Sequence, residues 1–225
     1  MSGLHVYCVV SGDSIPPRAL LGLGGRPVAE WRAADLGAWA SVLDAPPSPS
    51  GELLRAHHDV VLAAFRVGSV LPVRFGQWLP DSTALESWLE REKARMRSAI
   101  EHLRDAVEFG VRVVGGEGEP VDAPPAGEAP APREYLRTLA RHRAAKRDAL
   151  LRRDSLVRRL WSAVGPVAKE QCVVPAGPGD LAAVAHLVDR AQVAPYREAV
   201  GRFMERQAPF RAEITGPWPP WSFVT

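Results

Sequence analysis

The chain has 225 residues, 46% of them hydrophobic, and its 28 basic and 26 acidic side chains give a formal net charge of +2. This length allows one large or two small domains with a sizeable core. The longest apolar stretches, 60–65 and 181–188, are much shorter than the roughly 20 residues of a spanning helix, which predicts a soluble protein without a membrane segment. The opening MSGLHVYCVV lacks the basic start of a leader, which predicts a cytoplasmic location.

The first half of the chain alternates strand-like and helix-like segments. Apolar, β-branched content predicts strands at LHVYCVV, VAEWRA and LGAWASVL, then a helix at 50–68 that Ser50 caps and whose apolar stripe includes His57. A strand at SVLPVRFG (69–76), a helix that begins at Asp81 or Ser82, and a strand at FGVRVV (109–114) follow. The order β-β-β-α-β-α-β predicts helices layered on a mostly antiparallel sheet.

Residues 115–132 hold five prolines, four glycines, four acidic residues and no basic residue. A segment of this composition cannot pack a core and is predicted to be a mobile, semi-extended linker.

The second half opens with a long helix at 133–165. Strands at QCVV and AHLVDR, a helix at VAPYREAVGRFMERQ and a last strand at FRAEIT follow. In that last strand Phe210, Ala212 and Ile214 share one face. The predicted organisation is therefore an α+β protein of two small domains, 1–114 and 133–215, with the linker between them and a C-terminal tail at 216–225.

The long helix is strongly basic, with ten Arg or Lys against three acidic residues between 133 and 159. Such a helix can face solvent, pair with the acidic linker, meet a protein partner or meet nucleic acid. Aromatic residues for stacking on bases are only Tyr135 and Trp161. The sequence therefore favours a solvated or internally paired face, then a protein partner, and we expect no nucleic acid.

Residues that carry catalysis or metal binding are not evident. His57 and His58 are neighbours in a predicted helix, so they point about 100° apart and suit one metal poorly. Cys8 and Cys172 match no metal or redox spacing. The glycine-rich LLGLGG lacks a nucleotide-binding pattern. We expect no catalytic residues, cofactor or metal.

Two motifs combine into a recognisable pattern. VLPVRFG (70–76) places Arg74 in an apolar strand, and GPWPPWSFV (216–224) ends the chain with aromatic residues among prolines. Together with HHDVVLAAF (57–65), they make the sequence resemble the gas vesicle protein F/L family (GvpF/GvpL) over essentially the whole chain. In that family an opening strand of the kind Y-x-Y-G, a helix histidine, vLPvRFGT and a terminal tGPWPPYSF recur in this order. The chain departs from this pattern at Cys8, where glycine is common, and at Trp221, where tyrosine is usual. It also has Gln77 and Trp78 after Gly76, where threonine is usual.

The resemblance implies a non-enzymatic accessory protein that binds the hydrophobic shell protein GvpA, helps to nucleate or grow gas vesicles, and associates with the vesicle. It also implies a ferredoxin-like second half, and other accessory proteins as further partners; we expect a monomer. The alternatives are a ligand-binding or catalytic α+β protein and, as a third class, a nucleic-acid-binding protein. The structural or partner motif comprises His57, Leu71, Pro72, Arg74, Phe75, Gly76, Gly216, Pro217, Trp218, Pro219, Pro220, Trp221 and Phe223.

Two structural expectations follow from these motifs. We expect Arg74 to be buried and paired, because an unpaired buried guanidinium is costly. We expect the tail to dock through Trp218, Trp221 and Phe223 in a groove of the first half or between the halves, since prolines lower the entropy that an extended segment loses on docking.

Overall fold

The computed structural model describes residues 2–12, 14–33, 35–115, 132–177, 179–207 and 210–224, without the side chains of 132–137 and 142. By internal contacts the chain divides into unit 1, Met1–Glu108 with Gly216–Thr225, and unit 2, Phe109–Thr215. The chain leaves unit 1 within one strand and returns to it within another. The predicted linker, apart from Gly115 and Pro132, lies outside the described residues.

Unit 1 is built on one antiparallel sheet. Its elements are β1 (Gly3–Ser11), β2 (Ala29–Ala33), β3 (Leu36–Leu43), α1 (Gly51–Val67), β4 (Val70–Pro72), β5 (Trp78–Leu79), α2 (Ser82–His102) and the start of β6 (Ala106–Val114). The strand order is β2-β3-β1-β4, and β5 also pairs with β1. Strand β1 is therefore central, and eight of its nine residues are buried.

Both predicted helix starts in unit 1 are confirmed. The Ser50 hydroxyl accepts the Leu53 N–H at 3.2 Å, and the Asp81 carboxylate accepts the Ala84 N–H at 2.8 Å. These caps satisfy backbone donors that the first turn of a helix leaves unpaired. Helix α1 buries the predicted stripe through His57, Val60 and Val61.

Strand β4 is shorter than the sequence predicts, and β5 is an additional strand. The prediction of a strand over 69–76 is wrong beyond Pro72, where β4 ends, although the next residue, Val73, still donates a backbone hydrogen bond to Tyr7 of β1. Proline lacks an N–H for the ladder, and the following residues turn so that Trp78 and Leu79 can pair with His5 and Leu4.

Unit 2 contains the rest of β6, then α3 (Pro132–Val164), β7 (Glu170–Val173), β8 (Asp180–Asp189), α4 (Val193–Glu205) and the first part of β9 (Arg211–Trp218). The strand order is β7-β8-β6-β9. The mixed helix and antiparallel-sheet fold class is confirmed; the ferredoxin-like assignment stays a prediction. Strand β8 begins five residues before the predicted AHLVDR segment.

The core of unit 2 includes a buried polar pair. The Tyr196 hydroxyl lies 2.7 Å from His186 Nδ1, and His186 Nε2 lies 3.0 Å from Gln171 Oε1. Because the Gln171 oxygen only accepts, His186 Nε2 carries the proton and Nδ1 accepts from Tyr196. Burial lowers the pKa of His186 to about 4, so this ring is neutral at physiological pH.

None of the helices in the described part of the chain is both long enough and apolar enough to cross a membrane.

Candidate functional site

The VLPVRFG motif ends a strand and makes a tight turn. The Val73 N–H donates to the Tyr7 carbonyl at 3.0 Å, and the Gln77 N–H reaches the Arg74 carbonyl at 3.4 Å. Gly76 has a φ of +94°, a backbone conformation that glycine adopts readily and that residues with a side chain rarely adopt. This turn directs Phe75 inward, with ring centroids 5.3 Å from His5 and 5.7 Å from His57.

The prediction that Arg74 is buried and paired is wrong. Its side chain is exposed, and it makes no ion pair with any residue the structure describes. The physical reason is the early end of β4 at Pro72, which moves Arg74 out of the strand and into the turn. The motif therefore buries Leu71 and Pro72 and half-buries Phe75, while the Arg74 guanidinium faces solvent.

His5, Tyr7, His57 and Phe75, which we call the histidine cluster, lie within unit 1. The rings of His5 and His57 are joined by a hydrogen bond of 2.9 Å between Nε2 and Nδ1. His57 Nε2 lies 2.9 Å from the Val73 carbonyl, which only accepts, so His57 carries its proton on Nε2. His57 Nδ1 then accepts from His5 Nε2, and His5 Nδ1 is buried without a partner among the described residues.

Burial keeps both histidines of the cluster neutral. It lowers the pKa of His5 to about 3, with a further contribution from His57. It lowers the pKa of His57 to about 4, against the opposing hydrogen bond to the Val73 carbonyl. Their side chains are 0% and 3% exposed, so neither can reach a dissolved substrate. The arrangement is suited to holding elements together rather than to proton transfer.

Tyr7 extends the cluster toward the loop that precedes β2. Its hydroxyl donates to Ser41 Oγ at 3.0 Å and accepts the Leu23 N–H at 2.8 Å. Ser41 in turn donates to the Pro27 carbonyl at 2.9 Å. Any side chain at Gly22 would collide with the Tyr7 hydroxyl, so glycine is required there.

The C-terminal tail, residues 216–224, packs within unit 1. Pro219, Pro220 and Phe223 are buried. The Trp221 ring lies 5.9 Å from that of His57 and stacks on His58 at 6.1 Å. Its aromatic surface therefore packs beside the histidine cluster.

Trp218 packs less deeply than the other aromatic residues of the tail, Trp221 and Phe223. Its ring meets His58 edge-on at 5.7 Å, and 37% of the residue stays exposed. The expectation that all three aromatic side chains fill a groove is therefore too strong for Trp218, because the edge-on contact with His58 covers only part of its ring.

A buried carboxylate, that of Glu108, binds the tail through two hydrogen bonds. Glu108 Oε2 accepts the Ser222 N–H at 2.8 Å, and Oε1 accepts the Ser222 hydroxyl at 2.8 Å. We call this two-point contact the tail clasp. Burial raises the pKa of Glu108, and the two bonds from Ser222 oppose that rise because they favour the charged form.

We expect Glu108→Ala to lower the free energy of unfolding by about 1–3 kcal/mol, because it leaves the two half-buried donors of Ser222 without their acceptor. Glu108→Gln is the matched control: its oxygen can accept the Ser222 N–H and its amide can donate to the hydroxyl, so the loss should stay below about 1 kcal/mol. Urea denaturation at pH 7 measures both values. Equal losses for Ala and Gln would contradict the two-point geometry.

The structure brings together part of the predicted motif. His57, Phe75 and Trp221 meet in or beside the histidine cluster, and Leu71 and Pro72 lie in β4 against β1. Sequence reasoning missed His5, Glu108 and Ser222 as members of this site. Alternation along β1 places His5 and Tyr7 two residues apart, and this spacing was the available signal. No corresponding signal marks Glu108 and Ser222, which are 114 residues apart.

Metal binding has no candidate cluster in the parts of the chain that the structure describes, where no three His, Cys, Asp or Glu side chains come together. The Cys8 thiol is buried at the centre of β1, and burial raises its pKa. A buried, protonated thiol is a poor nucleophile.

Comparison with known proteins identifies relatives over the whole length. The family "Gas vesicle synthesis protein GvpL/GvpF" matches residues 3–225. The chain is 31% identical to Gas vesicle protein L of Streptomyces sp. (strain CB03234) over 246 residues, covering 98% of this chain and 92% of that protein. It is 27% identical to Gas vesicle protein F of the same strain over 236 residues, covering 98% of both chains.

Solved structures show the same fold. The crystal structure of GvpF from Anabaena sp. PCC7120 superposes with a TM-score of 0.78 at 18% identity, covering 100% of this chain and 99% of that one. GvpF from Microcystis aeruginosa gives a TM-score of 0.74 at 16% identity, covering 99% of each chain. By the family match and the similarity to Gas vesicle protein L, the chain belongs to the GvpL/GvpF family of gas vesicle synthesis proteins.

Proposed function

We propose that this chain is an accessory protein of gas vesicle assembly that binds the hydrophobic shell protein GvpA and helps the vesicle to nucleate or grow. Membership of a gas vesicle synthesis family supports a role in making the vesicle. A shell that keeps water from its gas face needs strongly apolar subunits, and a free subunit needs its apolar surface covered before assembly. On this proposal the chain acts as a cytoplasmic, vesicle-associated monomer without turnover, and other accessory proteins are further partners.

We choose the binding surface on one observation in unit 1, the partial exposure of Trp218. Trp218 is held by the docked tail beside His58, yet 37% of it is exposed. Leu54 precedes His58 by one turn of α1 and is 46% exposed, so both lie on one helix face. We call Leu54, His58 and Trp218 the Trp218 patch. A partly exposed tryptophan on a fixed segment is a typical anchor for a protein partner.

One edge of the unit 1 sheet, which strand β2 forms, is a less suitable surface for an apolar partner. Edge strand β2 carries Glu30 and Arg32, which pair with each other at 3.1 Å. Arg32 also donates to the Gly12 carbonyl. Charged side chains on an edge strand hinder the addition of another strand. The Trp218 patch is therefore a better candidate than this edge.

We expect Trp218→Ala to weaken capture of purified GvpA at least about tenfold, because removing an interface tryptophan commonly costs more than 1.4 kcal/mol. Leu21→Ala is the matched control, since Leu21 is 58% exposed and lies outside the patch. A pull-down titrated with shell protein gives the apparent Kd of each variant, and circular dichroism verifies their folding.

Two results would contradict this proposal at different levels. If folded Trp218→Ala captures GvpA as well as the parent does, the patch is not the binding surface. If the unmodified chain captures no GvpA, alone or with the other vesicle proteins, shell binding itself is wrong. Turnover of a small molecule by the purified chain would support the rival reading of a catalytic α+β protein.

A further inference from the structure

A groove of about 350 Å³ opens on unit 2 beside the C-terminal half of α3. Arg152, Arg153 and Arg159 contribute its polar wall, and Leu156, Leu181 and Phe210 its apolar wall. Leu181 stands near the start of β8, and Phe210 directly precedes β9. The groove thus combines three guanidinium groups with an apolar surface.

The positive charge of the groove is largely uncompensated. Arg152 and Arg159 are both exposed, and within the described residues neither has an acidic partner. They are seven positions apart, so they share one face of α3 across two turns. Arg153 pairs with its neighbour Asp154 at 3.4 Å, but its buried Nε–H makes no hydrogen bond to any described residue.

The apolar part of the groove is accessible to a bound group. Leu156 is 4% exposed and belongs to the core, whereas Leu181 is 36% exposed and Phe210 is half-buried. An exposed leucine beside an aromatic ring is a favourable contact for one bulky apolar side chain. Arginines beside it can form charge-assisted hydrogen bonds to carboxylates, bidentate where the geometry allows.

We propose that this groove binds an acidic peptide segment of a partner protein, with one bulky apolar side chain seated against Leu181 and Phe210. Charge complementarity selects the acidic residues of the segment, and the apolar wall selects its anchor. A single-stranded nucleic acid fits less well, because Phe210 is the one aromatic residue among the described residues that line the groove, and base stacking needs aromatic platforms. This site is independent of the Trp218 patch and of GvpA binding there.

The test uses the full chain and a short, fluorescently labelled peptide with one leucine flanked on both sides by glutamates. Fluorescence anisotropy at physiological salt gives the Kd. We expect Arg152→Glu and Arg159→Glu each to weaken binding at least about tenfold. Arg158→Glu is the matched control, because Arg158 is exposed on the same helix but does not line the groove; it should weaken binding less than about threefold.

The probe peptide is varied in parallel. Replacing its leucine by alanine should weaken binding about tenfold, because the apolar anchor is lost. Equal binding of the two peptides, or an equal loss in Arg158→Glu, would show general attraction to a basic helix and overturn the proposal. A single-stranded oligonucleotide of equal charge that binds as tightly as the leucine peptide would also overturn it. So would a folded parent chain that does not bind the leucine peptide.

Discussion

Truncation of the chain after Thr215 should destabilise unit 1 by at least about 4 kcal/mol while it leaves the core of unit 2 intact. The deleted residues include Phe223, which is 8% exposed, and the buried Pro219 and Pro220. Their loss uncovers apolar surface and leaves Glu108 without the Ser222 donors. Hydrogen exchange followed by mass spectrometry measures the effect in each unit separately. Peptides from β1 and α1 should lose protection, and peptides from β8 and α4 should keep it.

A less drastic variant keeps this prediction testable if the truncated chain does not fold. Phe223→Ala in the full chain removes one buried ring and should cost about 3–5 kcal/mol. Val224→Ala is the control, because Val224 is less buried than Phe223 and loses fewer atoms; it should cost less than about 1.5 kcal/mol. Unchanged protection in β1 and α1 after truncation would show that the tail contributes nothing to unit 1.

The helices of unit 1 were predictable because their signals are local. Ser50 and Asp81 each cap a helix by accepting the N–H of the residue three positions later. The sequence pattern and the contact therefore lie in the same short segment. Strand β6 was predictable for a similar reason, since Val111 and Val113 alternate with the exposed Arg112. Local periodicity and capping determine such elements before any tertiary contact forms.

The arginine of the VLPVRFG motif shows where local reasoning failed. Its apolar neighbours favoured a strand that continues to Gly76, but the stop at Pro72 and the positive φ of Gly76 made a turn instead. Both signals were present in the sequence as a proline and a glycine four residues apart. Turn chemistry outweighed hydrophobic content at this position.

The polar contacts of the site could not be read from local sequence. His5 and His57 are 52 residues apart, and their hydrogen bond depends on how α1 packs on the sheet. Glu108 meets Ser222 only because the chain returns to unit 1 at its end. The aromatic and proline content of the tail indicated that it would dock, but the carboxylate that receives it follows from tertiary structure alone.

Acidification should destabilise the protein in a pH range where most carboxylates are still ionised. The pKa values of His5, His57 and His186 are lowered from 6.5 to about 3, 4 and 4 in the folded state. Below pH 6.5 the unfolded chain takes up protons that the folded chain excludes. The stabilising contribution is therefore complete above pH 6.5 and is lost as the pH falls toward the folded values. Between pH 6.5 and 5 we expect a loss of roughly 1–2 kcal/mol per buried histidine.

The pKa shift of Glu108 makes stability depend on pH in the opposite direction. Its pKa is raised by burial from 4.5, so its contribution is present below that value and is lost as the pH rises through the folded pKa. Glu108 therefore offsets part of the histidine effect. Acidification from pH 6.5 to 5 should still lower the net stability. Among the described residues, the lowered pKa values of three histidines act against the raised pKa of one carboxyl group.

Variants of single histidines separate this effect from general acid unfolding. His57→Gln removes one titrating group from the histidine cluster, so the stability of this variant should depend less steeply on pH, whatever its stability at pH 7. Urea denaturation at half-unit steps from pH 7.5 to 5 gives each slope. A parent slope of zero, or equal slopes in the parent and His57→Gln, would contradict the conclusion that the buried rings are held neutral.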